Sequence, residues 1–356
     1  MADRATVEKW LSDLTNLPTA SGLEDAVSDW VTRWVSRRDD LKLERDSGGN
    51  LFVTQKGRKK FAPVYAVAHM DHPAFVVVDE DGSFEFRGGV DAVYFDDALI
   101  QVVSRLDGPG GRVVSYDPET RHGVAEFFGE VAPDDIAMWS FQDSDQVEGR
   151  FRAPVCDDLA GAAAALAALD RARGDADLRH FGVMLTRAEE VGLIGAIHAA
   201  KHRTIPEDAR LLSIETSREL PNARIGGGPI IRIGDRATVF DRELSNLVCQ
   251  AAEEAGLEHQ RRLMDGGGCE ATAFGVYGYR ATGLCLALGN WHNRGNLSEV
   301  EAGDDDAAVP MLEEISIDDY HGLVAPLLVA ARAVDGDDPT IDRLDHLYES
   351  NRKYLS

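Results

Sequence analysis

An α/β pattern that stops near residue 71 and resumes near residue 152 is the strongest constraint on what this 356-residue chain can fold into. Residues 63–68 (PVYAVA) are almost wholly apolar and read as a central strand of a sheet covered on both faces. Beyond 152 the periodicity alternates. A helix at 160–173 (AGAAAALAALDRAR) precedes a strand at 181–186, a helix at 191–202 and a strand at 210–215. A helix near 240–256, a strand at 283–288 and a helix at about 318–334 follow. Such alternation predicts the α/β class, with a mixed sheet sandwiched by helices. Residues 72–151 differ in kind. Short alternating runs (FVVV, SFEFRG, LIQVVSRL, GRVVSY, GVAEFF) lie between Gly, Asp and Pro turns, with no long helix among them. That pattern predicts a small all-β barrel or sandwich, taken here as a β-barrel. The economical division is one discontinuous α/β domain, 1–71 and 152–356, with a β-barrel domain inserted at 72–151. Two amphipathic helices, 5–16 and 24–37, and a strand at 50–55 open the chain.

Charge narrows the partners. Acidic residues outnumber basic ones 62 to 37, for a net charge of −25, so the surface repels phosphate backbones and anionic lipid. No nucleic-acid or membrane partner is expected. No apolar run approaches the roughly 20 residues that span a bilayer, and MADRATVEKWLSDL reads as an amphipathic helix, not a leader peptide. The four cysteines, Cys156, Cys249, Cys269 and Cys285, are far apart and form no CxxC pair. Reduced thiols in a cytoplasmic protein fit that spacing better than a disulfide framework.

The residues able to do chemistry fall at or just beyond predicted strand ends, where open α/β sheets place their sites. His69 and Asp71 (AHMDH) follow the strand at 63–68, and Asp157 and Asp158 (PVCDDLAG) precede the Ala-rich helix. Glu189 and Glu190 (TRAEEVGL) follow the strand at 181–186, Glu215 (SIETS) ends the strand at 210–215, and His292 (LGNWHNRG) follows the strand at 283–288. Singly these are ordinary: paired acids before a helix suit its cap and its dipole. Together, carboxylates and imidazoles gathered at one sheet edge repel one another unless cations neutralise them. Mixed N and O ligands suit zinc, and also cobalt or manganese. His198 and His202 share a helix at i, i+4 but lack the Glu of HExxH, so they read as a surface pair. GGGP at 226–229 and GGG at 266–268 lack the Lys-Ser/Thr tail of a phosphate loop and read as tight turns near the site.

With HMD, DDLAG, AEEVGL, IET and WHN in this order, the chain resembles the co-catalytic dinuclear-zinc exopeptidases. Among them it is most similar to the tetrahedral aminopeptidases, metallopeptidase family 42, of glutamyl and deblocking type. The likeness extends over nearly the whole chain, including GGGPIIRIGD and GGGCEATAF. Room for the extra domain discriminates: 85 residues separate Asp71 from Asp157, whereas Glu215 and His292 stand only 77 apart, too few for the domain that carboxypeptidase and deacylase relatives insert there. The resemblance implies removal of N-terminal residues from peptides by a water activated between two divalent metal ions. Metal ligands would be His69, Asp157, Glu190, Glu215 and His292, with Asp157 bridging, Glu189 as general base and Asp71 orienting His69. It also implies self-assembly into a dodecamer. His72 after HMD, Leu159 after the Asp pair, Glu215 in place of Asp and Glu270 in GGGCEA depart from the family pattern. A dinuclear amidohydrolase or deacylase of small N-acyl substrates, and a catalytically idle assembly or peptide-binding homologue, are the alternatives.

Overall fold

A computed structural model describes every residue of the chain except 58, 337, 338 and 356. Three strands open the α/β part, β1 (Leu41–Arg45), β2 (Leu51–Gln55) and β3 (Val64–His69). Six more follow: β4 (Ala74–Val77), β5 (Ser83–Arg87), β6 (Leu99–Val102), β7 (Gly110–Asp117), β8 (His122–Phe127) and β9 (Ile136–Trp139). They close into a barrel in the order β4-β5-β8-β7-β6-β9. Phe75 fills its centre, meeting Phe84, Phe86, Phe95 and Trp139 edge-on. After the short antiparallel pair β10 (Asp145–Val147) and β11 (Arg150–Ala153), the chain returns to the main sheet. Its strands there are β12 (Phe181–Thr186), β13 (Arg210–Arg218), β14 (Ile230–Asp235), β15 (Gln260–Met264) and β16 (Arg280–Leu288).

The main sheet has eight strands in the order β1-β2-β12-β3-β13-β16-β14-β15. Its middle four, β12, β3, β13 and β16, are parallel, so their carboxyl ends share one edge. Apolar alternation along β3 explains why two layers of helices are needed. Val64, Ala66 and Ala68 enter one core with α1 (Arg4–Thr15), α2 (Asp25–Ser36), α3 (Leu159–Ala172) and the helix Ile317–Ala333. Tyr65 and Val67 enter the other, with α4 (Ile194–Lys201) and a short helix at Glu270–Val276. The mixed sheet between helices and the closed barrel agree with the fold expected from the periodicity.

Differences are local. The helix expected over 191–202 begins only at Ile194, because the backbone after Glu189 first makes a turn in which Leu193 has φ +61°. The strand expected at 210–215 runs on to Arg218. Strands β1, β14 and β15 and the helices Glu270–Val276 and Pro339–Asn351 were not signalled by periodicity. Of the two glycine-rich turns, 266–268 borders the main cavity, but 226–229 does not. There the Asp319 carboxylate accepts the Gly226 and Gly228 N–H groups, tying the turn to the helix Ile317–Ala333.

The α1–α2–α3 contact is built around an ion pair between half-buried Arg38 and buried Asp170. The Arg38 guanidinium lies 3.5 Å from the Trp34 ring centroid and 5.1 Å from that of Trp10, and donates to Asp170 Oδ1 at 3.2 Å. Asp170 also accepts from Ala2 N at 2.8 Å and Arg173 Nη1 at 2.9 Å. Burial alone would raise its carboxyl, but these donors outweigh it and hold the group below the ordinary 3.8. The stabilisation is therefore full above that value and is lost as pH falls through the lower folded value. Asp170→Ala, which leaves the half-buried Arg38 without this acceptor, is expected to cost about 2 kcal/mol of unfolding free energy at neutral pH. Urea titration checks this, and the gap from the parent should narrow below about pH 4.

Candidate metal centre

Five chain segments meet at the carboxyl edge of the sheet. His69 is the last residue of β3 and is paired with Thr186 on β12, so the loop carrying Glu189 and Glu190 leaves the sheet beside it. Glu215 lies on β13, and the loop after β16 brings His292 across. Asp157 lies between β11 and α3, and the peptide joining it to Asp158 is cis.

Two half-sites share one carboxylate. His69 Nε2 lies 3.3 Å from Asp157 Oδ1 and 3.5 Å from Glu215 Oε1. His292 Nε2 lies 3.5 Å from Asp157 Oδ2 and 3.3 Å from Glu190 Oε2. Donor atoms of His69, Asp157 and Glu215 all fall within 4.8 Å of one another, as do those of Asp157, Glu190 and His292. A third such group, His69 with Glu189 and Glu190, puts Glu189 against both. All five ligands expected from the sequence, and Glu189, therefore meet in one place.

Each ring is held from behind. His69 Nδ1 donates to the Asp71 carbonyl at 3.1 Å, and His292 Nδ1 donates to the Gly89 carbonyl at 2.8 Å. With Nδ1 protonated, both Nε2 atoms turn a lone pair toward carboxylates, the arrangement a bound cation requires. His69 Nε2 and Glu190 Oε1 are buried and make no hydrogen bond. Such orphaned atoms are costly unless something positive lies between them, so the residues fit a metal. Burial disfavours the charged imidazole of His69, but Asp157, Asp71 and Glu215 outweigh it and raise its proton affinity well above normal. Burial likewise opposes the charge on His292, which Glu190 and Asp157 overcome. Burial, reinforced by Asp157, pushes Glu215 up to about 8. Burial, with the charges of Glu215 and Glu190, holds Glu189 well above the ordinary carboxylate range. At the half-sites carboxylates outnumber imidazoles.

The Asp71 carboxylate has a task that spacing did not suggest. It lies 3.5 Å from His69 Nδ1, but it accepts Glu189 N–H at 2.9 Å and Glu190 N–H at 3.1 Å, along with the Ser21 hydroxyl at 2.5 Å. It thus sets the loop carrying both glutamates. Buried Glu24 supports the same loop, accepting Ala188 N–H and pairing with Arg187. Asp158, adjacent to the ligand, caps nothing: its buried carboxylate has no hydrogen bond and is packed on Gly161, where an added Cβ would come within 2.2 Å of Oδ1. Thr216 and Trp291 donate to Asp157 Oδ1 and Oδ2 at 3.0 and 3.2 Å. His72 donates from Nδ1 to the Asp157 carbonyl at 2.8 Å. Glu313 accepts backbone N–H groups from both Asp157 and His292. Motif reading passed over Glu24, Thr216, Trp291 and Glu313. Trp291, beside His292 in WHN, and Thr216, beside Glu215 in IET, lay within motifs; Glu24 and Glu313 carried no signal. His198 and His202 stand outside the site, their rings 4.5 Å apart, with Ser47 Oγ 3.0 Å from His198.

A cavity of about 370 Å³ opens onto the half-sites. Asp157, Glu189, Glu190, Glu215 and His292 line it. Arg218, Leu220, Arg232, Arg236 and Met264 line it as well.

Comparison with known proteins agrees with this arrangement. A family profile described as M42 glutamyl aminopeptidase matches residues 125–305, which include Asp157, Glu189, Glu190, Glu215 and His292. A curated relative from Acetivibrio thermocellus is 23% identical over 294 residues, covering 73% of this chain and 83% of its own length; its assigned name is that of an aminopeptidase. Among solved structures, the TET1 peptidase of Pyrococcus horikoshii superposes with a TM-score of 0.71 at 22% identity, over 93% of this chain and 100% of that one. The aminopeptidase of Desulfurococcus kamchatkensis gives 0.72 at 22%, over 94% and 96%. These two likenesses are of fold; the profile, spanning just over half of the sequence, carries the family. The chain belongs to the M42 glutamyl aminopeptidase family and is a metal-dependent aminopeptidase.

Proposed function

We propose that this aminopeptidase holds two divalent ions, zinc by the character of its donors, with Asp157 between them. His69 and Glu215 would complete one half-site, Glu190 and His292 the other. The observation that carries the reading is the pair of donor sets sharing Asp157, each of its oxygens facing a different imidazole. The ions, when bound, would polarise the scissile carbonyl and make a water acidic enough to lose its proton near neutral pH. Glu189 would take that proton and deliver it to the leaving amine, and Asp71, through the Glu189 N–H, keeps the carboxylate aimed. The carboxylates at the mouth would receive the free α-amine of a peptide and so restrict cleavage to its first bond. We take residues 72–151 as the inserted domain and 1–71 with 152–356 as the catalytic one. Four buried, unpaired cysteines fit a cytoplasmic protein. Glu189→Gln is expected to retain both ions by elemental analysis and to lose about 10²–10⁴ in kcat on aminoacyl anilides. Turnover at the parent rate would reject the base assignment.

The cavity lining favours an acidic first side chain, in keeping with the glutamyl type. Arg232 is 1% exposed, donates from Nη1 to Ser217 Oγ at 2.9 Å, and leaves its Nε without a partner. Arg236 forms no ion pair among the described residues and borders the same cavity. A substrate carboxylate would meet both. Arg236→Ala is expected to lower kcat/KM for a glutamyl anilide about tenfold and to leave the leucyl substrate nearly unchanged. Equal losses on both would overturn this preference.

The Pyrococcus horikoshii peptidase is described as assembling into a tetrahedron or an octahedral shell. For this chain we propose self-assembly of the same kind, a dodecamer. Light scattering should return about twelve chains per particle, and a monomeric mass would refute it.

A further inference from the structure

We propose that Glu313 is a positioning residue that clamps the two ligand-bearing loops together, and that the half-site of Asp157, Glu190 and His292 depends on it more than its neighbour does. Glu313 begins the strand Glu313–Ser316, which pairs with β11, and it is fully buried between the loops at 154–158 and 289–293. Its Oε2 accepts Cys156 N–H at 2.8 Å and Asp157 N–H at 2.9 Å, while its Oε1 accepts His292 N–H at 2.8 Å. One carboxylate therefore ties the backbone of the shared ligand to that of a terminal one.

The two half-sites differ in what holds them. His69 ends β3 and Glu215 lies within β13, so the sheet ladders fix both. His292 has no such ladder. It lies at φ +57°, between Asn290 at +52° and Asn293 at +61°, backbone states that cost non-glycine residues energy and persist only where surroundings impose them. Glu313 supplies that imposition from one side. From the other, His72 donates to the Asp157 carbonyl and contacts Asn293 Oδ1 at 3.1 Å, and Asn293 in turn donates to the Pro154 and Met311 carbonyls.

Glutamine in place of Glu313 separates this role from simple packing. It has nearly the same shape but only one acceptor oxygen, its amide nitrogen being a donor. Keeping the two bonds to Cys156 and Asp157 turns the amide toward the His292 N–H, where donor meets donor. His292 is then released while Asp157 stays anchored. The inference rests on the two-ion reading of the site.

The experiment is equilibrium metal titration of the full chain with zinc, repeated with cobalt to follow its absorption. The parent is expected to bind two ions per chain. Glu313→Gln should bind one of the two ions as the parent does and the other about 10–100-fold less well. At intermediate free metal it would hold one ion where the parent holds two. Glu313→Asp, with both acceptor oxygens but a shorter reach, should fall between them, and it decides the matter if the Gln variant does not fold. Unchanged affinity at both sites overturns the inference. So does equal weakening of both sites together with a lower unfolding temperature of the metal-free protein, which would mark a general packing role. A parent that binds no metal would instead refute the two-ion reading itself.

Discussion

Negative charge concentrated at one edge of the sheet is the constraint on which the rest of the molecule depends. Asp71, Asp157, Asp158, Glu189, Glu190, Glu215, Glu270 and Glu313 are gathered around two imidazoles, and most of them are buried. Burial pushes the Glu270 carboxyl up to about 7 and Asp158 well above its ordinary value. No arrangement of apolar side chains could repay so many desolvated carboxylates, and apart from the rings the positive charge bordering the cavity comes from Arg218, Arg232 and Arg236, fewer cations than there are acids. The fold tolerates the collection because metal dependence is part of how it works. It follows that loop conformation at this edge and ion binding are linked: whatever loosens the loops weakens the ions, and removing the ions leaves the loops holding uncompensated charge.

A second use of carboxylates is visible around the first. Asp71, Glu24 and Glu313 do not face the cavity as ligands but accept backbone N–H groups from loops that lack ladder partners. Loops at strand ends have unpaired backbone donors, and a buried carboxylate can satisfy two or three at once. The same residue type thus serves in two layers, an inner one for cations and an outer one for the peptide groups that carry the inner ligands. On this outer layer the N–H donors favour the charged carboxylates, yet burial outweighs them at Glu24 and at Glu313, which is pushed up to about 7.

This division explains what could be read from sequence. The inner layer was legible because its members sit beside apolar strands whose periodicity marks the sheet edge: HMD after PVYAVA, EE after FGVMLT, and IET at the end of RLLSI. The barrel was legible because its alternating runs contain no helical period. The outer layer was not, since Glu313 in MLEEIS looks like any acid on a short amphipathic strand, and its role depends on a partner loop more than twenty residues earlier in the chain and another more than 150 residues earlier. The resemblance assigned Asp71 the task of orienting His69, which implies a side-chain contact with that ring. Its carboxylate instead reaches across to a loop about 118 residues away, while the carbonyl orients the ring. Strands β14 and β15 were missed because Arg, Gly and Gln interrupt their apolar pattern, Arg232 being turned into the cavity wall.

The barrel's place in the chain has a consequence for the site. Its first strand begins three residues after Asp71, and β11, which follows its last strand, ends four residues before Asp157, so both ends of the excursion are anchored in ligand-bearing segments. Its interior is an aromatic cluster independent of the sheet, but the segment just after β5 comes back to the edge. There Gly89 offers its carbonyl to His292 Nδ1, Asp91 accepts from Arg294 at 2.7 Å, and the Tyr94 hydroxyl donates to the Gly295 carbonyl at 2.8 Å. A ligand ring is therefore oriented by one unit and its backbone by the other. Any displacement of the barrel against the sheet would rotate His292 about its own ring, whereas His69, held by the Asp71 carbonyl within its own segment, would not feel it. His292, whose N–H is bound by Glu313, is thus also the residue whose ring the barrel segment holds, whereas His69 is held within its own segment.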